Sequence, residues 1–409
     1  MRKLLLLISF ATICGGITAQ NIWNKRASCG GSKRERSVSF SIASRGYIGL
    51  GQDTLNLMLK DLWEYDPATN SWTQKANFPG AARRDAASFV IGTKAYVGTG
   101  MDNADAFIGS ALPDFYQYDP GTNMWTAKAN WPGNSGMGTY YTCGFAAAGK
   151  GYFCCGKDGP SNYNNNLWRY DPVANSWLQM TDMPGAKRYG AVAFVIGNYA
   201  YFGTGTDENV LVSDFYRYDV INDLWSSLNN FPGTGRYSCS SFVVAGKGYI
   251  LLGTDGGYKD ELWQYDQTID YWFPKANLPG GARRSAGAFA IGSKGYAGTG
   301  KGLTGTRRDF WEYLPSIPLG IEEHSDDVFS NVYPNPITDQ ATVVINSMIF
   351  DHDKNLFYDI MDMNGKVVNS EKINSASFTI GKNQLSKGYY LLSIRSSEKR
   401  LAAKKIVIQ

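Results

Sequence analysis

The sequence predicts an all-β protein, a six-bladed β-propeller followed by a small immunoglobulin-like β-sandwich. The first observation is a repeat near 50 residues, which is the length of one four-stranded propeller blade. The second is a phenylalanine followed seven residues later by a tyrosine in every repeat, as in Phe89 and Tyr96. The repeat is marked by one tyrosine per unit, at Tyr65, Tyr118, Tyr170, Tyr218, Tyr265 and Tyr313.

Each repeat reads as two consecutive hairpins. The inner one joins strands such as "DAASFVI" and "KAYVGTG" through a Gly-X turn, whose first residue needs a positive φ. The outer one joins "DLWEYDP" to a strand that carries a tryptophan, and its tyrosine and tryptophan are expected to fill the space between blades. The predicted inner turns are Gly92-Thr93, Gly197-Asn198, Gly246-Lys247 and Gly292-Ser293.

The two ends of the repeat region are each incomplete. The last repeat, "DFWEYLPSIP" at 309–318, has no tryptophan strand after it, whereas Trp23 in "NIWNKRA" precedes the first complete repeat. The Trp23 strand is therefore expected to complete the sixth blade and close the ring, which removes exposed sheet edges.

The Tyr-Asp-Pro phrase and the spaced tryptophan resemble the kelch repeat of the galactose oxidase-like propeller superfamily. The resemblance covers about 23–314 and implies a kelch-type propeller over 20–314. The glycines fit less well, because "YVGTG", "YFGTG" and "YFCCG" stand where kelch repeats usually show a Gly-Gly pair.

The chain begins with a basic tip, a short apolar run and small residues near Ala19, which predicts a secretory signal peptide over 1–19. Its removal takes Arg2 and Lys3 and lowers the formal net charge from +4 to +2. A lipoprotein anchored at Cys14 is the alternative, although Ile13 is a poor lipobox residue. The polar segment 315–328 is interpreted as a linker, and alternating segments in 329–409 predict the sandwich.

The sandwich resembles the type A C-terminal sorting domain of the type IX secretion system of Bacteroidetes. The resemblance rests on three motifs in order, "YPNP" at 333–336, "NGKVV" at 364–368 and the terminal "KKIVI". It implies export through the periplasm of a Gram-negative bacterium, with the secretion machinery as a partner. It leaves open whether the protein is released or held on the outer-membrane surface. A generic immunoglobulin-like domain is the alternative.

Composition argues against several classes of function. The balance of 40 basic and 36 acidic residues offers no footprint for nucleic acid, and after the leader no apolar run reaches the length of a membrane-spanning helix. The two histidines, His324 and His352, lie outside the propeller and no CxxC is present, so we expect neither a metal nor another cofactor. We expect a monomer.

Five cysteines remain after the leader, so at least one thiol stays unpaired within a monomer. Cys143 and Cys154 are equidistant from their hairpin turn and should face each other across it. Such a pair lies within disulfide reach, and both outcomes, bonded or free, are open at this point.

The long, unequal loops between strands two and three all lie on one face of the propeller, where binding sites usually occur. Counting from the turns places Arg83 opposite Asp102, and the same holds for three more hairpins. Such pairs either pin the blades as ion pairs or bind a ligand. Blade three has Thr139 opposite Asp158, and blade six has Arg283 opposite Gly302, which predicts a spare arginine at Arg283.

The candidate ligand-binding residues are these arginines and acids together with the tyrosines and arginines beside them. They are Arg83, Arg84, Tyr140, Asp158, Arg188, Tyr189, Arg236, Tyr237, Arg283 and Arg284.

Two classes of function fit this face. The first is a secreted or surface-displayed binding protein for a glycan or a protein, and it is preferred. The second is a sugar-processing enzyme of the N-acetylneuraminate epimerase (mutarotase) kind, for which Asp158 and Glu208 are the candidate acid–base residues. Copper radical oxidase chemistry is disfavoured because the propeller contains no histidine.

Overall fold

The computed structural model has two compact units, one of which is Asn21–Pro315. The described residues are 21–102, 111–133, 136–159, 162–207, 209–268, 270–315, 329–345, 350, 355–362, 366–382, 385–396 and 400–409. The predicted signal peptide, nearly all of the predicted linker and the candidate Glu208 lie outside these residues. Every named element in the described part is a β-strand, and no helix there has the length and apolarity to cross a membrane.

The first unit is a six-bladed propeller of four-stranded antiparallel sheets. Blades one to five each use four consecutive strands. In blade one these are β2 (Val38–Ile42), β3 (Arg45–Gly49), β4 (Leu62–Asp66) and β5 (Ser71–Lys75). In blade two they are β6 (Ala87–Ile91), β7 (Lys94–Gly98), β8 (Phe115–Asp119) and β9 (Met124–Lys128).

Blades three to five repeat this order. Blade three consists of β10 (Cys143–Ala147), β11 (Lys150–Gly159), β12 (Asn162–Asp171) and β13 (Ser176–Met180). Blade four consists of β14 (Val192–Ile196), β15 (Tyr199–Gly203), β16 (Phe215–Asp219) and β17 (Leu224–Leu228). Blade five consists of β18 (Ser240–Val244), β19 (Lys247–Leu251), β20 (Leu262–Asp266) and β21 (Tyr271–Lys275). The middle strands of blade three are twice as long as their counterparts, so this hairpin extends from the long-loop face.

The sixth blade confirms the predicted closure. It combines β22 (Gly287–Ile291), β23 (Lys294–Gly298) and β26 (Phe310–Leu314) with β1 (Ile22–Arg26) from the N-terminal end. A short hairpin, β24 (Lys301–Gly302) with β25 (Gly305–Thr306), leads into β26. Trp23 pairs with Tyr313, as the argument from the incomplete repeats requires.

The inner hairpins have the predicted register, with Phe89 opposite Tyr96 and Phe242 opposite Tyr249. Gly92, Gly197 and Gly292 have φ values of 59°, 62° and 57°, as a Gly-X turn requires. The prediction for blade five was wrong by one residue. Its turn is Ala245-Gly246, and both residues have positive φ, so the alternative primed turn is used there.

The repeated outer-hairpin phrase joins neighbouring blades. The Tyr65 hydroxyl donates to Asn70 Oδ1 at 2.9 Å, and the same oxygen accepts the backbone N–H of Ala27 on the adjoining blade at 2.9 Å. The Trp72 indole N–H donates to the Ala27 carbonyl at 3.0 Å. Trp125, Trp177, Trp225 and Trp23 make the equivalent bond to the blade beside them. The phrase therefore supplies both the aromatic packing and the polar links between blades.

The second unit contains a two-sheet β-sandwich. One sheet has the order β27 (Phe329–Tyr333), β28 (Gln340–Ile345), β31 (Ser377–Gly381). The other has the order β30 (Val367–Lys372), β29 (Phe357–Met361), β32 (Gly388–Arg395), β33 (Arg400–Ile408). Val343, Ile360 and Leu392 belong to its apolar core. Asn335 of the "YPNP" motif bonds the terminal strand, accepting from the Val407 N–H at 2.9 Å and donating to the Lys405 carbonyl at 3.1 Å.

Candidate functional site

Five of the arginines that precede the innermost strands are buried anchors of their blades. Arg34, Arg83, Arg188, Arg236 and Arg283 are at most 1% exposed. Each guanidinium bonds an acidic residue that lies immediately before strand three, and not the residue opposite it in the inner hairpin. The acids are Asp61, Asp114, Asp214, Glu261 and Asp309.

Blade six shows the bonding of one anchor in full. Arg283 donates through Nη1 and Nη2 to the two carboxylate oxygens of Asp309 at 2.7 and 2.8 Å. It also donates to the carbonyls of Gly281 and Thr299, both at 3.0 Å, and to the carbonyl of Gly280 at 2.5 Å. The Trp311 indole completes the set by donating to Asp309 at 2.8 Å. These contacts tie the start of strand one to the end of strand two and the start of strand three.

The expected spare arginine at Arg283 is therefore wrong, because Asp309 pairs with it. The expected Arg83–Asp102 ion pair is also wrong, since Arg83 is bonded to Asp114. Backbone register does follow the sequence argument, with Arg84 opposite Met101. The side chain of Arg83 nevertheless turns toward strand three. Ligand contacts of Arg83, Arg188, Arg236 and Arg283 do not fit this burial, so they are better described as structural residues.

Blade three lacks this anchor. Thr139 replaces the arginine and Asn166 replaces the acid, so both partners change together. The Thr139 hydroxyl instead donates to the Lys157 carbonyl at 3.3 Å. The Trp168 indole N–H, whose counterparts in blades one, five and six bond the acid, is buried with no hydrogen bond within the described residues.

Two residues after each anchor position, six left-handed residues encircle the propeller axis and form what we call the mouth ring. Each donates its backbone N–H to the carbonyl of the equivalent residue on the blade before it, at 2.8–3.2 Å, and the six bonds close a circle. Their φ values lie between 51° and 64°. The mouth ring consists of Arg36, Asp85, Tyr141, Gly190, Ser238 and Ser285.

A second circle supports the first. In each blade a glycine with positive φ after strand two donates its N–H to the carbonyl of the next blade's anchor residue, as Gly51 does to Arg83 at 2.8 Å. The residue before this glycine also has positive φ in every blade although it is not glycine, and in the five anchored blades its carbonyl accepts a hydrogen bond from the anchor arginine. The six donors are Gly51, Gly100, Gly156, Gly205, Gly253 and Gly300.

The residues just outside the mouth ring form the rim. They comprise Glu35, Arg84, Tyr140, Tyr189, Tyr237 and Arg284. Each rim residue pairs across its hairpin with a residue of strand two's extension, for example Tyr140 with Lys157 and Arg284 with Lys301. Five of the predicted ligand-binding residues, Arg84, Tyr140, Tyr189, Tyr237 and Arg284, are therefore brought together at the mouth.

The mouth has a charged side over blades six, one and two. Glu35 is 1% exposed, and its carboxylate lies 3.8 Å from Arg36 Nε, 3.8 Å from Arg284 Nε and 3.7 Å from Lys301 Nζ. Asp85 accepts a hydrogen bond from Arg36 at 3.2 Å. Burial raises the pKa of Asp85, and the positive charges of Arg36 and Arg84 offset only part of that effect.

Tyrosines occupy the opposite side, over blades three to five. The rings of Tyr163 and Tyr189 are stacked with centroids 5.6 Å apart, and Tyr189 meets Tyr237 edge-on at 5.9 Å. The Lys157 ammonium lies 5.2 Å from the Tyr163 ring and 5.1 Å from the Tyr189 ring. We call Tyr163, Tyr189 and Tyr237 the tyrosine arc. Tyr163 comes from the long hairpin of blade three, whose extension brings this ring to Tyr189.

Sequence reasoning missed Glu35 as a site residue, together with Arg36, Asp85, Tyr141, Ser238 and Ser285 of the mouth ring. The signal was available, because these positions lie one or two residues after the anchor in every repeat. Asp158 lies on the extended hairpin, where burial raises its pKa. It forms no ion pair with another described residue, whereas Glu35 and Asp85 lie against the arginines of the mouth.

Other candidate sites have less to offer. The tight-turn face contains an apolar hollow of about 280 Å³, lined by residues such as Val90, Ala146 and Val195, with no polar side chain to orient a ligand. Among the described residues no group of three metal-ligating side chains occurs. Cys143 faces Cys154 as predicted, but the five cysteines of the described residues are free thiols. Burial raises the pKa of Cys143 and Cys154.

Comparison with known proteins bears on the two units separately. Residues 331–409 match the family model described as "Secretion system C-terminal sorting domain". The C-terminal unit is a secretion sorting domain. It indicates export through the type IX system to the cell surface or beyond. The family match therefore speaks against the alternative of a generic immunoglobulin-like domain. No curated protein matches the sequence.

The propeller is similar to a solved structure titled "Structure of YjhT". The TM-score is 0.59 at 16% identity, and the match covers 69% of this chain and 95% of that chain. At this level of identity the similarity supports the β-propeller fold alone.

Proposed function

We propose that the protein is an exported binding protein, displayed on the cell surface or released, whose propeller mouth binds a glycan. The observation that carries the proposal is the tyrosine arc beside the charged side of the mouth, on the long-loop face of the ring. Tyrosine combines a flat apolar face with a polar hydroxyl, and ligand sites commonly join aromatic walls to a few oriented polar groups.

The frame of the mouth favours binding without rearrangement. Both circles of backbone hydrogen bonds fix the mouth ring and the rim, and the buried anchors hold five of the six blades. A ligand would therefore meet preorganised side chains, which lowers the entropy lost on binding. Only the long side chains of Arg284 and Lys301, 21% and 37% exposed, have room to adjust above Glu35.

A protein is the alternative ligand, because the loops around the mouth differ in length and offer a larger surface for contact. The tyrosine arc favours the glycan, since it sets three aromatic rings beside the arginines and carboxylates of the mouth, and this combination of apolar rings and polar groups suits a sugar. Kelch-type ancestry is consistent with either ligand and carries no part of the argument.

The second candidate function is a sugar-processing enzyme of the N-acetylneuraminate epimerase kind. The observation that favours it is the pair of buried carboxyls, Glu35 and Asp85, within a cluster of arginines at the mouth. A carboxyl whose pKa is raised, as that of Asp85 is, suits proton transfer at neutral pH. Asp85 is nonetheless already bonded to Arg36, which fits a structural role for this carboxylate.

Binding to an array of immobilised glycans tests the proposal. The mature full-length protein is expected to retain a small set of related glycans, and Tyr237→Ala is expected to lose them. Tyr271→Ala, on the outer strand β21 and 47% exposed, is the matched control and should bind as the wild type does. Turnover of the retained sugar, followed by NMR, would favour the enzyme. Retention that is unaffected by Tyr237→Ala would place the glycan elsewhere and overturn the proposal.

A further inference from the structure

Polar atoms without hydrogen bonds are concentrated on one side of the mouth. Within the described residues, Glu35 Oε2, Arg36 Nε, Ser238 Oγ, Ser285 Oγ and Arg284 Nε are all buried and make no hydrogen bond. They come from blades five, six and one, which are neighbours in the ring. Buried polar atoms are normally satisfied, so a cluster of this kind indicates a missing partner.

Backbone bonds place these groups next to each other. The Ser285 N–H donates to the Ser238 carbonyl at 2.9 Å, and the Arg36 N–H donates to the Ser285 carbonyl at 3.1 Å. Glu35 Oε2 lies 3.8 Å from both Arg36 Nε and Arg284 Nε, beyond hydrogen-bond range. The Glu35 carboxylate and the guanidiniums of Arg36 and Arg284 thus lie close together, but these atoms do not form hydrogen bonds with one another.

The chemistry of this group selects its partner. Glu35 Oε2 can only accept, the two Nε atoms can only donate, and the serine hydroxyls can do both. An oxyanion would satisfy the donors but would be repelled by Glu35. A hydroxyl group both donates and accepts, so two hydroxyls of one ring can bridge the carboxylate and the guanidiniums together.

We propose that blades five, six and one form a subsite for a pair of neighbouring hydroxyls on an uncharged sugar ring. This subsite rests on the proposed glycan-binding function and specifies its ligand. The sugar reaches Glu35 by displacing the ammonium group of Lys301, which lies 3.7 Å from the carboxylate and does not hydrogen-bond it. Tyr237 adjoins the subsite, because its hydroxyl accepts a hydrogen bond from Arg284 Nη1 at 3.3 Å. The side of the sugar ring that faces away from Glu35 therefore meets the tyrosine arc.

Serine variants give the sharpest test. Ser238→Ala and Ser285→Ala remove hydroxyls that have no bond in the described protein, so the melting temperature should stay the same or rise. A purely structural hydroxyl would instead lower it on removal. The affinity for a neutral saccharide should fall about tenfold in each variant, the scale of one lost hydrogen bond to a polar site. Ser226→Ala on the outer strand β17 is the control and should leave both quantities unchanged.

Calorimetric titration with methyl glycosides of neutral hexoses, and with glucuronic acid as the acidic counterpart, completes the experiment. The wild type should prefer the neutral ligand, and Glu35→Gln should weaken neutral binding while improving the relative affinity for glucuronic acid. If Tyr237→Ala abolishes glycan binding while both serine variants retain full affinity, the subsite is wrong and the proposed function stands. A preference for the acidic sugar in the wild type also overturns the subsite. The absence of saccharide binding in every titration and array overturns both.

Discussion

Asp114 forms an ion pair with Arg83 that is buried on one side only, since the Arg83 side chain is 0% exposed and that of Asp114 is 27% exposed. The arginine contributes the fully desolvated charge. Removing the acid therefore strands a buried cation, whereas removing the arginine leaves a carboxylate that water can still reach. We expect the stability of the five anchored blades to depend on this asymmetry.

The first prediction concerns the acid of the anchor. Asp114→Asn should lower the free energy of unfolding by about 3–5 kcal/mol, the usual cost of breaking a buried ion pair from one side. Denaturant unfolding followed by tryptophan fluorescence measures the change. Asp66→Asn, which breaks the more exposed pair with Arg45, is the control and should cost at most about 1 kcal/mol. Similar losses in both variants would refute the anchor role.

A double substitution tests whether the Thr139 and Asn166 pair of blade three can replace the arginine–acid anchor of another blade. Arg83→Thr combined with Asp114→Asn reproduces the Thr139 and Asn166 arrangement. The double variant should be more stable than the sum of the single effects predicts, by about 0.5–3 kcal/mol of coupling. Strict additivity would mean that the two positions act independently.

Acid should weaken the anchors. Burial alone would raise the pKa of Asp309, but the hydrogen bonds and charge of Arg283 outweigh it and hold the pKa below its ordinary value. A group whose pKa is lowered in the folded state contributes stability at neutral pH and loses it as pH falls through the folded pKa. The melting temperature should thus decrease as the pH is lowered below about 4. The melting temperature of the double variant Asp309→Asn, Arg283→Gln should decrease less steeply over the same pH range. A slope equal to that of the wild type would contradict the assignment of this acid sensitivity to the anchors.

The closing strand leads to a prediction about the N-terminal end. Asn21 accepts a hydrogen bond from the Tyr313 hydroxyl, and Trp23 donates to the Ala276 carbonyl at 2.8 Å. Deleting residues 21–26 should expose the β26 edge and cause aggregation, measured by light scattering. Trp23→Ala should lower the free energy of unfolding by about 3–5 kcal/mol, as truncation of a buried aromatic does. A monodisperse, fully stable deletion variant would show that the ring does not need this strand.

Export should depend on the sorting domain. Truncation after residue 328 removes every strand of the sandwich, and the propeller is then expected to accumulate in the periplasm. Immunoblotting of periplasmic and extracellular fractions measures the distribution. A truncated protein that reaches the surface as efficiently as the full chain would contradict a sorting role for residues 331–409.

The fold was largely predictable because every repeat carries the same local code. The constant Phe–Tyr interval determined strand register, and the incomplete repeat after Trp311 together with the unpaired Trp23 strand determined closure. The turn at Ala245 was misplaced by one residue, because Ala245-Gly246 and Gly246-Lys247 are both acceptable local turn sequences. The Phe242–Tyr249 interval is centred on Ala245-Gly246, so this turn was predictable from the repeat and was missed.

The site was less predictable because side chains at strand ends do not follow the pleat. Asp85 and Gly100 both have positive φ, which interrupts the strand geometry on which an Arg83–Asp102 pair depends. The correct partner was nevertheless encoded, since Thr139 and Asn166 depart from the repeat together. The positions of the mouth ring recur in every repeat and could have been identified, but their backbone bonds run between blades, and spacing within one repeat does not show which residues meet.

Titration of the mature protein with the glycan selected on the array decides whether the propeller mouth is a binding site. We expect saturable binding to the wild type, a loss of at least about tenfold in affinity in Tyr237→Ala, and wild-type affinity in Tyr271→Ala. Equal affinity in all three proteins, with melting temperatures unchanged, would contradict a ligand site at the propeller mouth.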